Sequence, residues 1–137
     1  MEIKHGRGYV YALRYHLVFC VKYRHALLTD MRAERLKKIF RDIATEHKFE
    51  IITMEVMPDH VHLLLDCSPQ HFIPDIVKTV KGYSARLLFK EMPELKKRLW
   101  GGHLWNPSYF VTSVSEVSET AIRQYIESQK ERGEQDV

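Results

Sequence analysis

Hydrophobic and polar positions follow two different rhythms along this chain, and the changes of rhythm outline its elements. Residues 11–24, "YALRYHLVFCVKYR", are rich in β-branched and aromatic side chains and predict a long first strand. After Thr29 or Asp30, either a suitable helix N-cap, Leu36, Ile39, Phe40, Ile43 and His47 recur at three and four residues, the period of an amphipathic helix. "FEIITMEVM" predicts a strand, Pro58-Asp59 a tight turn, and "HVHLLLDC" the hairpin partner. In a second helix, Ile73, Ile76, Val77, Val80, Leu87 and Leu88 share one face; Gly82 interrupts it, marking close backbone approach or a weak spot, and Pro93 ends it. A loop with Gly101-Gly102 leads to a fourth strand, "SYFVTSV" at 108–114, and Ser118 caps a last helix running to about Lys130.

The order strand, helix, strand, strand, helix, strand is that of the ferredoxin-like (split βαβ) α+β fold. It predicts an antiparallel four-stranded sheet with two helices on one face, here followed by an extra C-terminal helix. The 137 residues, 45% of them apolar, suffice for one compact domain over 1–137 and not for two. Cys20 and Cys67 lie in apolar strand-like runs and read as small buried hydrophobes, which suits a reducing cytoplasm. "MEIKHGRGYV" lacks the apolar core of a signal peptide, and no apolar run approaches the roughly 18 residues needed to span a bilayer, so a soluble protein without membrane attachment is expected.

The second hairpin strand carries the first candidate chemistry. Side chains alternate faces along a strand, so His60 and His62 point one way while Val61, Leu63 and Leu65 point the other. If the three apolar residues meet the helices, the two histidines emerge on the open face of the sheet. There they are either unremarkable surface histidines or two imidazoles within reach of one metal ion, with Asp59 or Asp66 available to set a tautomer. Several His-x-His chemistries are excluded. Position 64 is leucine rather than a third histidine, Leu63-Leu64-Leu65 stand where an Asp-His pair would be needed, and a Pro-Cys-x-x-Cys element is absent. In the last helix, Ala121, Tyr125 and Gln129 share one stripe and Ile122 and Ile126 the next. From the helix alone, Tyr125 is a packing residue or a reactive one, and Gln129 a solvated residue or a ligand.

The net charge of +3 is unevenly placed: Lys4, Arg7, Arg14, Lys22 and Arg24 cluster near the start, and Lys78, Lys81, Arg86 and Lys90 on the second helix. Such clusters are ordinary solvated surface or a permissive sign of a polyanionic partner.

Taken in order, "YHLVFCVKYR", "MPDHVHLLL", "VKTVKGYSARLLF", "LWNPSYFVTSVS" and "YIESQ" make the chain, over nearly its whole length, similar to the single-tyrosine HUH transposases of the insertion-sequence 200/605 group. The resemblance implies that His60 and His62 are metal ligands, Gln129 the third ligand and Tyr125 the nucleophile, on a catalytic helix at about 117–131. An unperturbed tyrosine, with a pKa of about 10, needs such help to attack at neutral pH. It further implies a divalent cofactor, Mg²⁺ in the first place with Mn²⁺ as an alternative, and cleavage and rejoining of single-stranded DNA through a 5′-phosphotyrosine link. The implied partners are DNA hairpins at element ends and a second copy of the chain, in a homodimer with composite active sites. Many relatives have glycine about where Ser115 stands, which bears on the freedom of the last helix to exchange between subunits. Lys22, Arg24, Lys78, Lys81 and Arg86 are candidate phosphate contacts, and Tyr83, Trp100 and Trp105 candidate stacking or packing residues. Two other readings compete: a relaxase or replication initiator, usually larger and often with a third histidine, and a non-catalytic single-stranded nucleic-acid-binding protein of the same topology, which would carry aromatic residues where "HVHLLLDC" has histidines.

Overall fold

The computed structural model describes residues 3–99, 101–114 and 118–135. The chain runs β1 (Lys4–Gly6), β2 (Tyr9–Tyr11), β3 (Leu13–Cys20), a 3₁₀ turn (Lys22–Arg24), α1 (Met31–His47), β4 (Glu50–Val56), β5 (His60–Cys67), α2 (Ile73–Glu91), α3 (Glu94–Arg98), β6 (Phe110–Ser113) and α4 (Ser118–Gln135). The main sheet has the order β4-β5-β3-β6, with every neighbouring pair antiparallel. This is the expected ferredoxin-like arrangement, with β3 and β5 at its centre.

The helical periods mark the core face. Leu36, Ile39, Phe40 and Ile43 of α1 and Ile76, Val77, Val80 and Leu88 of α2 are buried against Leu17, Phe19, Val61, Leu63 and Leu65 of the central strands. Each such side chain contributes about 1.5–3 kcal/mol of transfer free energy, so the alternation of β5 fixes which face its histidines occupy.

Four details differ from the sequence-based expectation. The first strand is shorter than 11–24, because Tyr23 (φ 60°) and Arg24 (φ 51°) take left-handed backbone and turn the chain away. Residues 4–11 form a separate hairpin turned at Gly8, whose φ of 84° suits glycine. Asp30 precedes α1 at φ 53° with no side-chain cap; its carbonyl instead accepts from the Glu34 amide at 3.2 Å. The second face of the sheet is only partly open. α4 packs across β3 and β6, so Val18 and Cys20 on that face are fully buried and Ile122 nearly so.

Gly82 is settled as a weak spot: a Cβ there would meet nothing within 4 Å. Cys20 and Cys67 are free and buried, and burial pushes each thiol up to about 11.

Candidate active site

The site is assembled on the second face by three loops and the final helix. Pro58 and Asp59 join β4 to β5, closed by the Met57 amide donating to the His60 carbonyl at 2.9 Å. Two further amides grip this turn, Val21 N–H to the Asp59 carbonyl at 3.0 Å and Leu28 N–H to the Pro58 carbonyl at 2.9 Å. Its position is therefore set by chain segments far away in sequence. From this anchored turn, β5 projects His60 and His62 onto the face that α4 partly covers.

Each histidine has one ring nitrogen engaged. His60 Nδ1 lies 2.8 Å from Asp59 Oδ1; with Nδ1–H donating to the carboxylate, the Nε2 lone pair is left for a ligand. His62 Nε2 lies 2.8 Å from His16 Nδ1, and its own Nδ1 is 3.9 Å from Glu55. Burial lowers the pKa of His62, with His16 and His60 adding to the effect and Glu55 opposing it; burial lowers that of His16 too. His62 and His16 are thus held neutral at pH 7, the form in which an imidazole binds a metal. Asp66, the other carboxylate considered for fixing a tautomer, is drawn away to Arg14 at 3.0 Å and Lys4 at 3.4 Å.

Tyr125 and Gln129 are brought together by the segment before β6. Ser108 Oγ lies 2.8 Å from the Tyr125 hydroxyl and donates to Gln129 Oε1 at 3.2 Å, while Asn106 Nδ2 also donates to Gln129 Oε1. Gln129 is a buried residue, 3% exposed, so the reading of it as merely solvated is wrong here. The Tyr125 ring rests on Phe110 at 5.6 Å. Phe110 pairs with Val18 and Val18 with His62, which places Phe110 and His62 two strands apart in one cross-sheet row, about 10 Å. Tyrosine, amide and histidines therefore share one sheet face.

The 106–108 segment is itself pinned from below. Lys81 Nζ donates to the carbonyls of Asn106 (2.7 Å), Pro107 (3.3 Å) and Ser108 (3.1 Å), between the rings of Phe19 and Tyr109. Desolvation by burial lowers its pKa to about 8. Arg24 is also turned inward: Nε and Nη2 donate to Asp59 Oδ2 at 3.0 and 2.7 Å, and Nη1 to the Ile126 carbonyl at 3.0 Å. These two differ from the expectation of open phosphate contacts, because their charges are already satisfied inside the fold.

Lys78 and Arg86 are exposed on α2, and Arg86 lies over the ring of the 37%-exposed Tyr83 at 5.7 Å; Lys22 is half-buried beside Tyr23. Trp105 is a packing residue, buried edge-on to Phe19 with its Nε1–H donating to Ser84 Oγ at 3.0 Å. Trp100 and Ser115 lie outside the described residues.

Among the described residues, no group of three or more His, Cys, Asp or Glu side chains is placed to hold a metal. A divalent ion held by His60 and His62 would need a ligand from outside that set; the oxygen of Gln129, Oε1, is of the right type but accepts from Asn106 and Ser108, and His62 Nε2 is engaged by His16, so each would have to release a partner to bind it. Sequence reasoning missed His16, Asn106 and Ser108. The last two stand within "LWNPSYFVTSVS", a segment of the resemblance to which no chemistry was attached. His16 becomes legible only once Val18 is known to pair with His62, because it is the diagonal cross-strand neighbour.

Comparison with known proteins agrees with this geometry. The profile of the IS200-like transposases matches residues 9–129. The ISDra2 transposase TnpA of Deinococcus radiodurans is 58% identical over 132 residues, covering 96% of this chain and 94% of that protein. The transposase for insertion sequence element IS200 of Salmonella typhimurium is 28% identical over 118 residues, covering 86% and 77%. A crystal structure from Deinococcus radiodurans R1, assigned as a transposase, superposes with a TM-score of 0.88 at 58% identity over 92% of this chain and 97% of that one. A REP-associated tyrosine transposase bound to a REP hairpin shares the fold, with a TM-score of 0.56 at 16% identity over 90% and 68% of the two chains. The chain therefore belongs to the IS200-like transposase family.

Proposed function

We propose that this transposase cleaves and rejoins single-stranded DNA at the ends of an insertion element by transesterification, with Tyr125 as nucleophile. The observation that carries the reading is the meeting of Tyr125 and Gln129 on one hydroxyl, Ser108, over the sheet face that presents His60 and His62. The phenolic oxygen attacks phosphorus, the bond to the 3′ oxygen breaks, and the products are a 5′-phosphotyrosine link and a free 3′-hydroxyl. Because the phosphodiester energy is retained, the 3′-hydroxyl of another strand can reverse the step without ATP. Ser108 orients the phenol, and Phe110 supports the ring from the sheet.

His60, His62 and Gln129 are the ligands we assign to a divalent ion, Mg²⁺ or Mn²⁺. When bound, the ion polarises the scissile phosphate and stabilises the charge that develops there. The neutral imidazole of His62 and the Asp59-fixed tautomer of His60 support that assignment.

The DNA is a hairpin near the element end, a reading supported by the REP hairpin bound to the structural neighbour. For its backbone we assign Lys22, Lys78 and Arg86, with Tyr83 positioned to stack on an unpaired base; Arg24 and Lys81 serve the interior. The protein works in the cytoplasm as a homodimer. With α4 seated on its own sheet, attack occurs within one subunit; exchange of α4 between subunits gives composite sites. No helix among the described residues is long and apolar enough to cross a membrane.

The test is incubation with single-stranded DNA carrying the flanking element's end hairpins, with Mg²⁺ or Mn²⁺, followed by denaturing electrophoresis. A metal-dependent covalent adduct that is lost in Tyr125→Phe and His62→Ala is expected. Tight hairpin binding with no adduct under either metal would replace this reading with a non-catalytic one.

A further inference from the structure

Arg24 has the most unusual placement of any charged residue on this face. It follows Tyr23, and both stand in left-handed backbone, a conformation that residues other than glycine seldom adopt. The 3₁₀ turn that holds it is tied back by the Arg24 amide donating to the Val21 carbonyl at 2.8 Å, and Val21 in turn donates to the Asp59 carbonyl at 3.0 Å. The strained turn aims the guanidinium between two elements that otherwise belong to different halves of the site.

One side of that guanidinium holds Asp59 Oδ2 through two N–H groups, and the other donates to the carbonyl of Ile126. Asp59 uses its second oxygen, Oδ1, to hold His60 Nδ1. Ile126 follows Tyr125 directly and precedes Gln129 by three residues. A continuous chain of hydrogen bonds thus runs from the backbone of the tyrosine helix, through Arg24 and Asp59, to a histidine of the His-x-His pair. The contact to α4 is to main chain, so it responds to where the helix sits and not to which side chain stands at position 126.

We infer that Arg24 is a positioning residue that couples the seating of α4 to the orientation of His60. With α4 seated, the guanidinium is held at both ends and Asp59 is fixed, so His60 presents Nε2 outward. With α4 displaced, Arg24 loses its helix anchor, and Asp59 and His60 lose their fixed geometry. Coupling of this kind is reciprocal: whatever favours the ordered His60 must favour the seated helix by the same factor. This inference rests on the proposed metal site for one of its two directions only, since the effect of Asp59 on α4 needs no metal.

Hydrogen exchange of the α4 amides in the full-length protein tests both directions. Without metal, Asp59→Asn, a residue whose side-chain hydrogen bonds go to Arg24 and His60, is expected to speed exchange across 122–129 about 5-fold, as is Arg24→Gln. With Mn²⁺, the comparison is made in a Gln129→Ala background, which removes direct ligation by the helix. Mn²⁺ is expected to slow α4 exchange about 5-fold in Gln129→Ala and to have no effect in Gln129→Ala combined with Arg24→Gln. Exchange across α1, which packs in the core on the opposite face of the sheet, reports whether each variant is folded. Unchanged α4 exchange in Asp59→Asn overturns the clasp. Mn²⁺ that binds, by calorimetry, yet leaves α4 unaltered in the Gln129→Ala protein overturns the coupling alone; failure of the wild-type protein to bind Mn²⁺ overturns the coupling and the metal reading together.

Discussion

Replacing Lys81 by methionine and following stability against pH isolates the residue that pins the 106–108 segment. Burial has lowered the Lys81 pKa to about 8 from an ordinary value of 10.5, so the folded protein sheds this proton before the unfolded chain does. Below about pH 8 both states are protonated and folding carries the full cost of burying the ammonium. Above about 10.5 both are neutral and the cost is gone, so stability rises with pH between these limits. At about 1.4 kcal/mol per pH unit the interval corresponds to about 3 kcal/mol, reduced to about 2 kcal/mol because Lys81 keeps some solvent access.

A neutral amine still donates to the carbonyls of Asn106, Pro107 and Ser108, which methionine cannot do. The wild-type curve alone would hide the effect. Cys20 and Cys67, raised to about 11 from 9.0, contribute stability below pH 9 that is lost as pH climbs towards 11, opposing the lysine. Both cysteines are present in Lys81→Met, so the contribution of Cys67 cancels in the difference between the proteins, and that of Cys20 cancels apart from its charge coupling to Lys81, the smallest of the influences on that thiol. Urea unfolding followed by circular dichroism at steps from about pH 7 to 10.5 is therefore expected to show the wild-type advantage widening by about 2 kcal/mol above pH 8. A difference that stays level, or narrows, would refute the placement of Lys81 as a desolvated ammonium under the loop.

Three further predictions concern the scaffold. Gly82→Ala should raise stability by about 0.5–1 kcal/mol, read as a higher urea midpoint, because the position is helical and a methyl group there meets nothing. Trp105→Phe should cost about 1–3 kcal/mol in the same assay, since it leaves the buried Ser84 hydroxyl without its indole donor and opens space beside Phe19. Asp66→Asn should lower stability by about 1–3 kcal/mol and free the β1–β2 hairpin, seen as faster amide exchange in residues 4–11, because the 4%-exposed carboxylate joins Arg14 of β3 to Lys4 of β1. Retention of full protection in that hairpin would show that it is held by other contacts.

Much of this protein is local in origin and could be read along the chain. The period of two in "HVHLLLDC" separates His60 and His62 from three core residues, since a pleated strand has no other way to arrange them. The period of 3.6 places Tyr125 and Gln129 on one stripe of α4, and both reach Ser108 as that spacing requires. The element order determined the sheet topology, because short connections leave few ways to pair four strands around two helices.

What the tertiary structure alone decided concerns partners. A basic residue in sequence carries a charge but no direction, and Arg24 and Lys81 looked as available to a phosphate as Lys78 and Arg86. They differ because Arg24 meets a carbonyl 102 residues away and Lys81 meets three carbonyls 25 to 27 residues away, contacts that exist only after the sheet and helices have closed. The same holds for His16, whose neighbour His62 is 46 residues distant and is fixed by strand register. Side-chain periodicity is a property of one element and is written in its residues; the identity of a hydrogen-bond partner is a property of two elements, and is set only when packing brings them together.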